Sequence, residues 1–278
     1  MDAILVVNKD KDWSSRDVVN KLNHIFNERK IGHAGTLDPL ATGVLVICTG
    51  RYTKFVSKLI SDEKEYIATM HLGIKTDTLD ITGNVIQKEI VNIPLTRLES
   101  VLNSFKCSYE QTVPIYSAVQ IDGKRLYDYA RKGIEIETPK RIVTIYDIEL
   151  IKYENQDVVF RVVVSKGTYI RSLIDDIAKK LGTIATMTDL KRTREGIFSI
   201  DDAYSIKDIS DGKYNLVDPE NIFKYPSILT NDQTRLGLIN GNLIKMNVKD
   251  GCYFIKDSDK IIAIYEFVDG NGRQTMKL

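Results

Sequence analysis

One twelve-residue stretch concentrates the residue types that chemistry needs: Gly32-His33-Ala34-Gly35-Thr36-Leu37-Asp38-Pro39-Leu40-Ala41-Thr42-Gly43. Three glycines and a proline specify a rigid, non-repetitive loop, a setting that holds functional side chains on a stiff scaffold. Asp38 precedes Pro39, which biases its backbone toward extended conformations. A carboxylate fixed in this way can serve as a nucleophile or as an electrostatic partner for an electron-poor centre. An Asp-Pro pair can equally do no more than organise a turn. Two further candidates lie downstream. Tyr66 begins an alternating series with Ala68, Met70 and Leu72. That is the period of a half-buried strand, where a tyrosine is either core or a presented phenol. Arg171 follows Gly167 at a strand-to-helix corner, where a guanidinium can hold a carboxylate in its charged form.

The elements that must position these groups are legible by period. AILVVNK reads as a buried strand, and Ser14 with Asp17 reads as a helix start followed by Val18, Val19, Leu22, Ile25 and Phe26 at helical spacing. After the glycine-rich loop, VLVICTG predicts a second buried strand and residues 51–60 a short helix. Leu98, Val101, Leu102 and Phe105 mark another amphipathic helix, and the runs 141–153 and 157–165 a hairpin. SKGTYIRSLIDDIAKKL then turns from strand into helix. Strands interrupted by a few helices, without a βαβ rhythm, indicate an α+β fold on a mixed, largely antiparallel sheet flanked by helices.

Bulk properties exclude classes rather than select one. At 278 residues and 43% hydrophobic content the chain can bury one large core and a smaller second one. No apolar run reaches transmembrane length, and the amino terminus lacks a signal peptide's order of regions. Cys48, Cys107 and Cys252 are dispersed and form no CxxC, which points away from disulfides and thiolate zinc and toward a reducing cytoplasm. The net charge of +1 carries no hint of a polyanion, although basic residues clustered on one face would still hold phosphates. The three histidines form no metal-ligand cluster, and no GxxxxGK[ST] loop is present.

The glycine-rich string resembles the signature of TruB-type pseudouridine synthases, Gly-His-Xaa-Gly-Xaa-Leu-Asp-Pro-Xaa-Ala-Xaa-Gly, at every fixed position. The likeness continues in order through Glu65-Tyr66, Leu72-Gly73, Thr76-Asp77-Thr78 with Asp80 and Gly83, and Val113-Pro114 with Tyr116-Ser117-Ala118. It then runs through Gly123-Lys124-Arg125-Leu126-Tyr127 with Tyr129-Ala130-Arg131 and Gly133, and through Ser165-Lys166-Gly167-Thr168-Tyr169-Ile170-Arg171. One departure precedes it: the family's Lys-Pro and Gly-Xaa-Ser-Ser become Asn8-Lys9-Asp10-Lys11-Asp12-Trp13-Ser14-Ser15, with Lys9 in the lysine position. Thr78-Leu79-Asp80 repeats the tripeptide Thr36-Leu37-Asp38, but Asp80 lacks the flanking motif and is expected to shape a loop.

The resemblance implies isomerisation of the T-loop uridine at position 55 of tRNA to pseudouridine. Breaking the N–C glycosidic bond and rejoining the base through C5 conserves all atoms, so no cofactor or metal is implied. Asp38 would be the catalytic carboxylate, attacking C1′ or the base or assisting elimination, with Arg171 as its cationic partner. Tyr66 would stack on the flipped uracil and help remove the C5 proton. His33 would brace the gap left by the extruded base, with Tyr169 and Leu190 as pocket walls. Lys9 and the pair Lys191 and Arg192, next to Arg194, are further expected RNA contacts. Residues 121–141 resemble the family's mobile insertion, in which Lys124, Arg125, Arg131 and Lys132 supply charge and Tyr127 and Tyr129 supply stacking.

A catalytic domain over 1–222 and a small PUA-like β domain over 223–278 are expected, divided where VDPENIFKYP shows prolines and few apolar anchors. The partner would be tRNA, by its T-arm and acceptor arm, with no membrane, no obligatory protein partner and a monomeric state. A guide-dependent synthase acting on ribosomal RNA and a non-catalytic RNA-binding or chaperone protein remain as alternatives.

Overall fold

The structure, a computed structural model, describes residues 1–231 and 235–278. Strand β1 (Ala3–Lys9) leads into helix α1 (Ser15–Phe26), then β2 (Ile31–Ala34) and β3 (Thr42–Thr49). Ile4, Val6, Val44 and Val46 face one apolar cluster, and Leu5, Val7, Leu45 and Ile47 face another. Two-sided burial is why β1 and β3 read as continuous apolar runs. Helix α1 begins with a complete capping box between Ser14 and Asp17 and lays Val18, Val19 and Leu22 on the second cluster. The glycine-rich stretch is not all loop: β2 takes residues 31–34 and pairs with β3, so His33 sits on a strand.

A 3-10 turn (Gly50–Phe55) and α2 (Val56–Leu59) lead to β4 (Glu63–Leu72), which buries Lys64, Tyr66, Ala68, Met70 and Leu72 on one face. The short hairpin β5 (Ile74–Thr76) and β6 (Val85–Lys88), helix α3 (Leu95–Asn103) and β7 (Ser108–Thr112) follow. An arm then holds β8 (Gln120–Ile121), β9 (Lys124–Arg125) and α4 (Leu126–Arg131). The expected hairpin is β10 (Lys140–Glu154) with β11 (Asp157–Ser165), and α5 (Ile170–Leu181) carries Arg171 in its first turn. Helices α3 and α5 pack Leu98, Leu102, Leu173, Ile174 and Ile177 against β4 and β11 in the largest core.

Strand β12 (Ala185–Glu195) completes the sheet, with β13 (Phe198–Ser199) paired to its end. Among the described residues the sheet has nine strands in the order β1-β3-β12-β4-β11-β10-β7, with β2 beside β3 and β13 beside β12. Strand β3 meets β12 in parallel, whereas β4 pairs antiparallel with both β12 and β11. The fold is thus α+β on a mixed, largely antiparallel sheet.

Helices α6 (Ile206–Ser210) and α7 (Pro219–Phe223) connect to a second sheet of β14 (Ser227–Leu229), β15 (Ile244–Lys245), β16 (Gly251–Asp257), β17 (Lys260–Val268) and β18 (Asn271–Lys277). Helix α8 (Arg235–Ile239) covers it through Leu238. The segment 218–226 is well anchored, contrary to the sequence reading. Phe223 packs its ring on Phe55, Tyr225 and Phe254, and Ile222 joins the cluster that includes Ile4, Val6 and Ile264. Prolines there delimit a capped helical turn, with Pro219 at its start and Asp218 accepting from Glu220 N–H, rather than a loose linker.

Candidate active site

Asp38 leaves the end of the β2–β3 connection, and its neighbours on both sides are tied down. Leu37 N–H donates to Ser15 Oγ at 2.9 Å, and the Ser15 hydroxyl, itself buried, is 3.3 Å from the Leu37 carbonyl. The Pro39 carbonyl accepts from Asp12 N–H at 2.9 Å and from Lys9 Nζ at 3.2 Å. Two motif glycines allow the loop to approach β12. Gly35 (φ +72°) and Gly43 (φ +100°) lie in the left-handed region, and a Cβ would collide with the Glu195 carboxylate at the first and the Arg192 carbonyl at the second.

The Asp38 carboxylate meets the Arg171 guanidinium at 2.9 Å, with the arginine side chain 5% exposed and the aspartate 39%. Arg171 is held from behind: Nη1 donates to the Thr78 carbonyl at 3.2 Å and Nη2 to the Tyr116 carbonyl at 3.0 Å, and Nε lies 3.8 Å from Asp80 Oδ2. Asp80 does shape its loop, accepting from Thr78 Oγ1 and Thr82 N–H at 3.0 Å, but it also faces the same arginine. A guanidinium so surrounded presents one charged edge in a fixed direction.

Asp38, Arg171, Tyr66, Tyr169 and Leu190 together line a cavity of about 100 Å³. A wider cavity of about 320 Å³ shares Asp38, Tyr66 and Tyr169 and reaches Lys64, Ser117 and Lys166. The Tyr66 phenol is buried, and that burial raises its pKa, with the nearby Arg192 guanidinium pulling the other way. Tyr169 is fixed through its backbone, donating N–H to Gln111 Oε1 at 2.8 Å, while the Arg141 guanidinium stacks 5.5 Å above its ring.

Five expected site residues therefore converge, and others sit elsewhere. His33 is half-buried on β2 with no hydrogen-bond partner for Nδ1 among the described residues, and burial lowers its pKa, which favours a neutral ring. Lys124, Arg125, Arg131 and Lys132 are on the arm with Tyr127. The Arg125 and Arg131 guanidinium carbons lie 5.9 and 5.4 Å from the Tyr127 ring centre. Lys191 is exposed on β12.

Two expected RNA contacts are corrected. Lys9 is fully buried and its ammonium donates to the carbonyls of Asp10, Trp13 and Pro39, so it braces the Asp38 loop and offers nothing to a phosphate. Arg192 is equally buried, donating to the Val44 and Gly35 carbonyls at 2.8 Å each and facing Glu195. Sequence reading missed Ser15, Gln111 and Glu195, and for Asp80 it missed the approach to Arg171. Ser15 and Asp80 stood inside quoted motifs; a buried Gln or Glu carries no signal of its own.

Residues 23–170 match the TruB family pseudouridylate synthase N-terminal domain, and residues 171–223 the tRNA pseudouridylate synthase B C-terminal domain. The chain is 40% identical to the tRNA pseudouridine synthase B of Clostridium kluyveri, covering 98% of this chain and 93% of the relative. It is 44% identical to the enzyme of the same name from Caldicellulosiruptor saccharolyticus, covering 90% and 86%. Among solved structures it resembles that of a Cbf5-Nop10-Gar1 complex, at 25% identity and a TM-score of 0.71, over 99% of this chain and 84% of the other. The chain belongs to the TruB family of pseudouridylate synthases.

Proposed function

We propose that this enzyme isomerises the T-loop uridine of tRNA, position 55, to pseudouridine, with Asp38 as the reacting carboxylate. The observation that carries this reading is a charged Asp38–Arg171 pair, 2.9 Å apart, on the wall of a cavity of about 100 Å³ that also presents Tyr66. Such a space suits one unstacked base rather than a duplex, which requires the nucleotide to be extruded. Arg171 pairs with the carboxylate at the place where a bound base would exclude water. Asp38 then faces the sugar or base as the glycosidic bond opens, and Tyr66, beneath the ring, takes the C5 proton once the new C–C bond has formed. Tyr169 and Leu190 enclose the ring.

The arm's four cations and Tyr127 would grip the T-arm backbone, and the second sheet (223–278) would act as a PUA-like unit reaching the acceptor arm. The molecule would do this alone, as a monomer in the cytoplasm. Among the described residues no helix is long and apolar enough to cross a membrane.

A second reading, action within a larger ribonucleoprotein, draws on the likeness to chains assembled with Nop10 and Gar1. The higher identity and coverage of the tRNA pseudouridine synthase B relatives favour the stand-alone reading. Purified protein incubated with an unmodified tRNA transcript should form pseudouridine at position 55 without any addition. Asp38→Asn should bind the transcript normally and form none. A need for added RNA or protein defeats the stand-alone reading, and turnover by Asp38→Asn removes the carboxylate from its role.

A further inference from the structure

In the wall of the wider cavity lies a largely buried charge cluster that the proposed chemistry leaves unused. Strand β12 contributes Arg192 and Glu195, both 0% exposed, and β4 contributes Lys64 at 8%. Glu195 Oε2 is 3.1 Å from Arg192 Nη2, and Oε1 is 3.5 Å from Lys64 Nζ. Two cations thus face one carboxylate, and a positive charge is left over at the edge of the wider cavity, which Lys64 and Arg192 both line. Such an excess is costly unless another negative charge shares it.

Tyr66, which lines the same cavity, can share that charge as a phenolate. Arg192 sits directly opposite it across the β12–β4 ladder, next to an irregularity between Arg192 and Arg194 that alters the strand's pleat. Both residues line the wider cavity of about 320 Å³. The same side chain donates to the Gly35 carbonyl at 2.8 Å, three residues before Asp38. One arginine therefore lies opposite the tyrosine on the sheet and bonds the loop that carries the aspartate.

We propose that Arg192 is a positioning residue for the isomerisation, holding the Tyr66 phenol at a fixed separation from the Asp38 loop and stabilising the phenolate that accepts the C5 proton. This rests on Tyr66 being that acceptor. In the step, the C5–H bond breaks and its electron pair forms the C5–C6 double bond. The proton moves to the phenolate oxygen, N1 takes a proton from solvent, and the phenol later returns its own proton to solvent. The charges facing the phenol are Arg192 and Glu195 from β12, Lys64 from β4 and Asp38 from the loop. Burial opposes the phenolate most strongly and raises the phenol's pKa; Arg192 favours the phenolate, whereas Glu195 and Asp38 oppose it.

Single-turnover rates on a tRNA transcript, measured against pH beside transcript affinity, test the assignment. Arg192→Gln should lower the rate at neutral pH about a hundredfold while affinity stays within about twofold, and the rate should recover with rising pH about one unit later than in the parent. Placing the more acidic 3-fluorotyrosine at position 66 of Arg192→Gln should restore about tenfold of the loss, which a purely structural arginine would not allow. Parental rates in Arg192→Gln, an unshifted profile without fluorotyrosine rescue, or a loss wholly explained by weaker RNA binding each overturn the proposal. Tyr66→Phe serves as the control. If it keeps its rate, the proton-acceptor reading falls and takes this inference with it; if it is inactive while Arg192→Gln is not, this inference alone falls. Should Arg192→Gln fail to fold, Glu195→Gln gives an independent reading: it should move the pH profile downward, and an unchanged or upward shift counts against the proposal.

Discussion

The pocket and the arm carry similar charged residues in opposite circumstances. Around the pocket, Lys9, Arg171 and Arg192 are buried and each donates to at least two backbone carbonyls. On the arm, Lys124, Arg125, Arg131 and Lys132 are exposed or nearly so, and the two arginines lean on Tyr127. Burial turns a cation into a strut, because an ammonium or guanidinium withdrawn from water must satisfy its donors within the protein. Exposure leaves the same group available to phosphate. Residue type alone does not separate a buried strut from a cation free to meet a ligand; partners and burial do.

This contrast can be broken most decisively at Arg171. Arg171→Lys keeps the charge but not the fork that spans Asp38, Thr78 and Tyr116, and single-turnover rates should fall by about a hundredfold or more with little change in transcript affinity. The arm should behave in reverse. Alanine at Lys124, Arg125 and Arg131 together should weaken binding by about tenfold and flatten its salt dependence by roughly two to three units of log–log slope, with the saturated rate kept within about threefold. Titrating transcript at several salt concentrations measures both. Ser15→Ala gives a smaller effect that sharpens the comparison: losing the clamp on Leu37 should cost about 1 kcal/mol in a denaturant melt and slow turnover several-fold.

A pH effect sharpens the same comparison. Burial lowers the Lys9 pKa to about 8 from its ordinary 10.5. Between about pH 8 and 10.5 the unfolded chain then binds more protons at this position than the folded one, so Lys9 makes stability rise with pH across that window. Lys9→Met should remove that rise, seen by comparing melts at pH 8 and 9.5, whereas the arm variant should retain it.

Much of this architecture was readable beforehand. The apolar runs of β1 and β3, the capped start of α1, the β10–β11 hairpin and the strand-to-helix corner before Arg171 all announce themselves by period or punctuation. Strand β12 did not, because its register shifts at Met187/Asp189 and Arg192/Arg194 break the alternation and it carries five charged residues. Missing that strand is what misplaced Arg192: without a neighbour at Tyr66, an arginine between Lys191 and Arg194 looks like surface charge. Lys9 was misread for a related reason, since its three acceptors are carbonyls that no side-chain pattern reveals. The aromatic seam at Phe223 escaped because prolines on either side suggested a linker.

Strand β12 meets β3 in parallel at Lys191–Thr42 and Arg192–Gly43, joining segments about 150 positions apart. Contacts of such separation are entropically late, because the intervening chain must first be gathered. The Asp38 turn therefore has its floor only after the chain has been synthesised beyond residue 195. A nascent or truncated polypeptide that ends before β12 can display the complete aspartate motif and still lack the cavity proposed to hold the base, so activity is expected with closure of the sheet rather than with appearance of the signature.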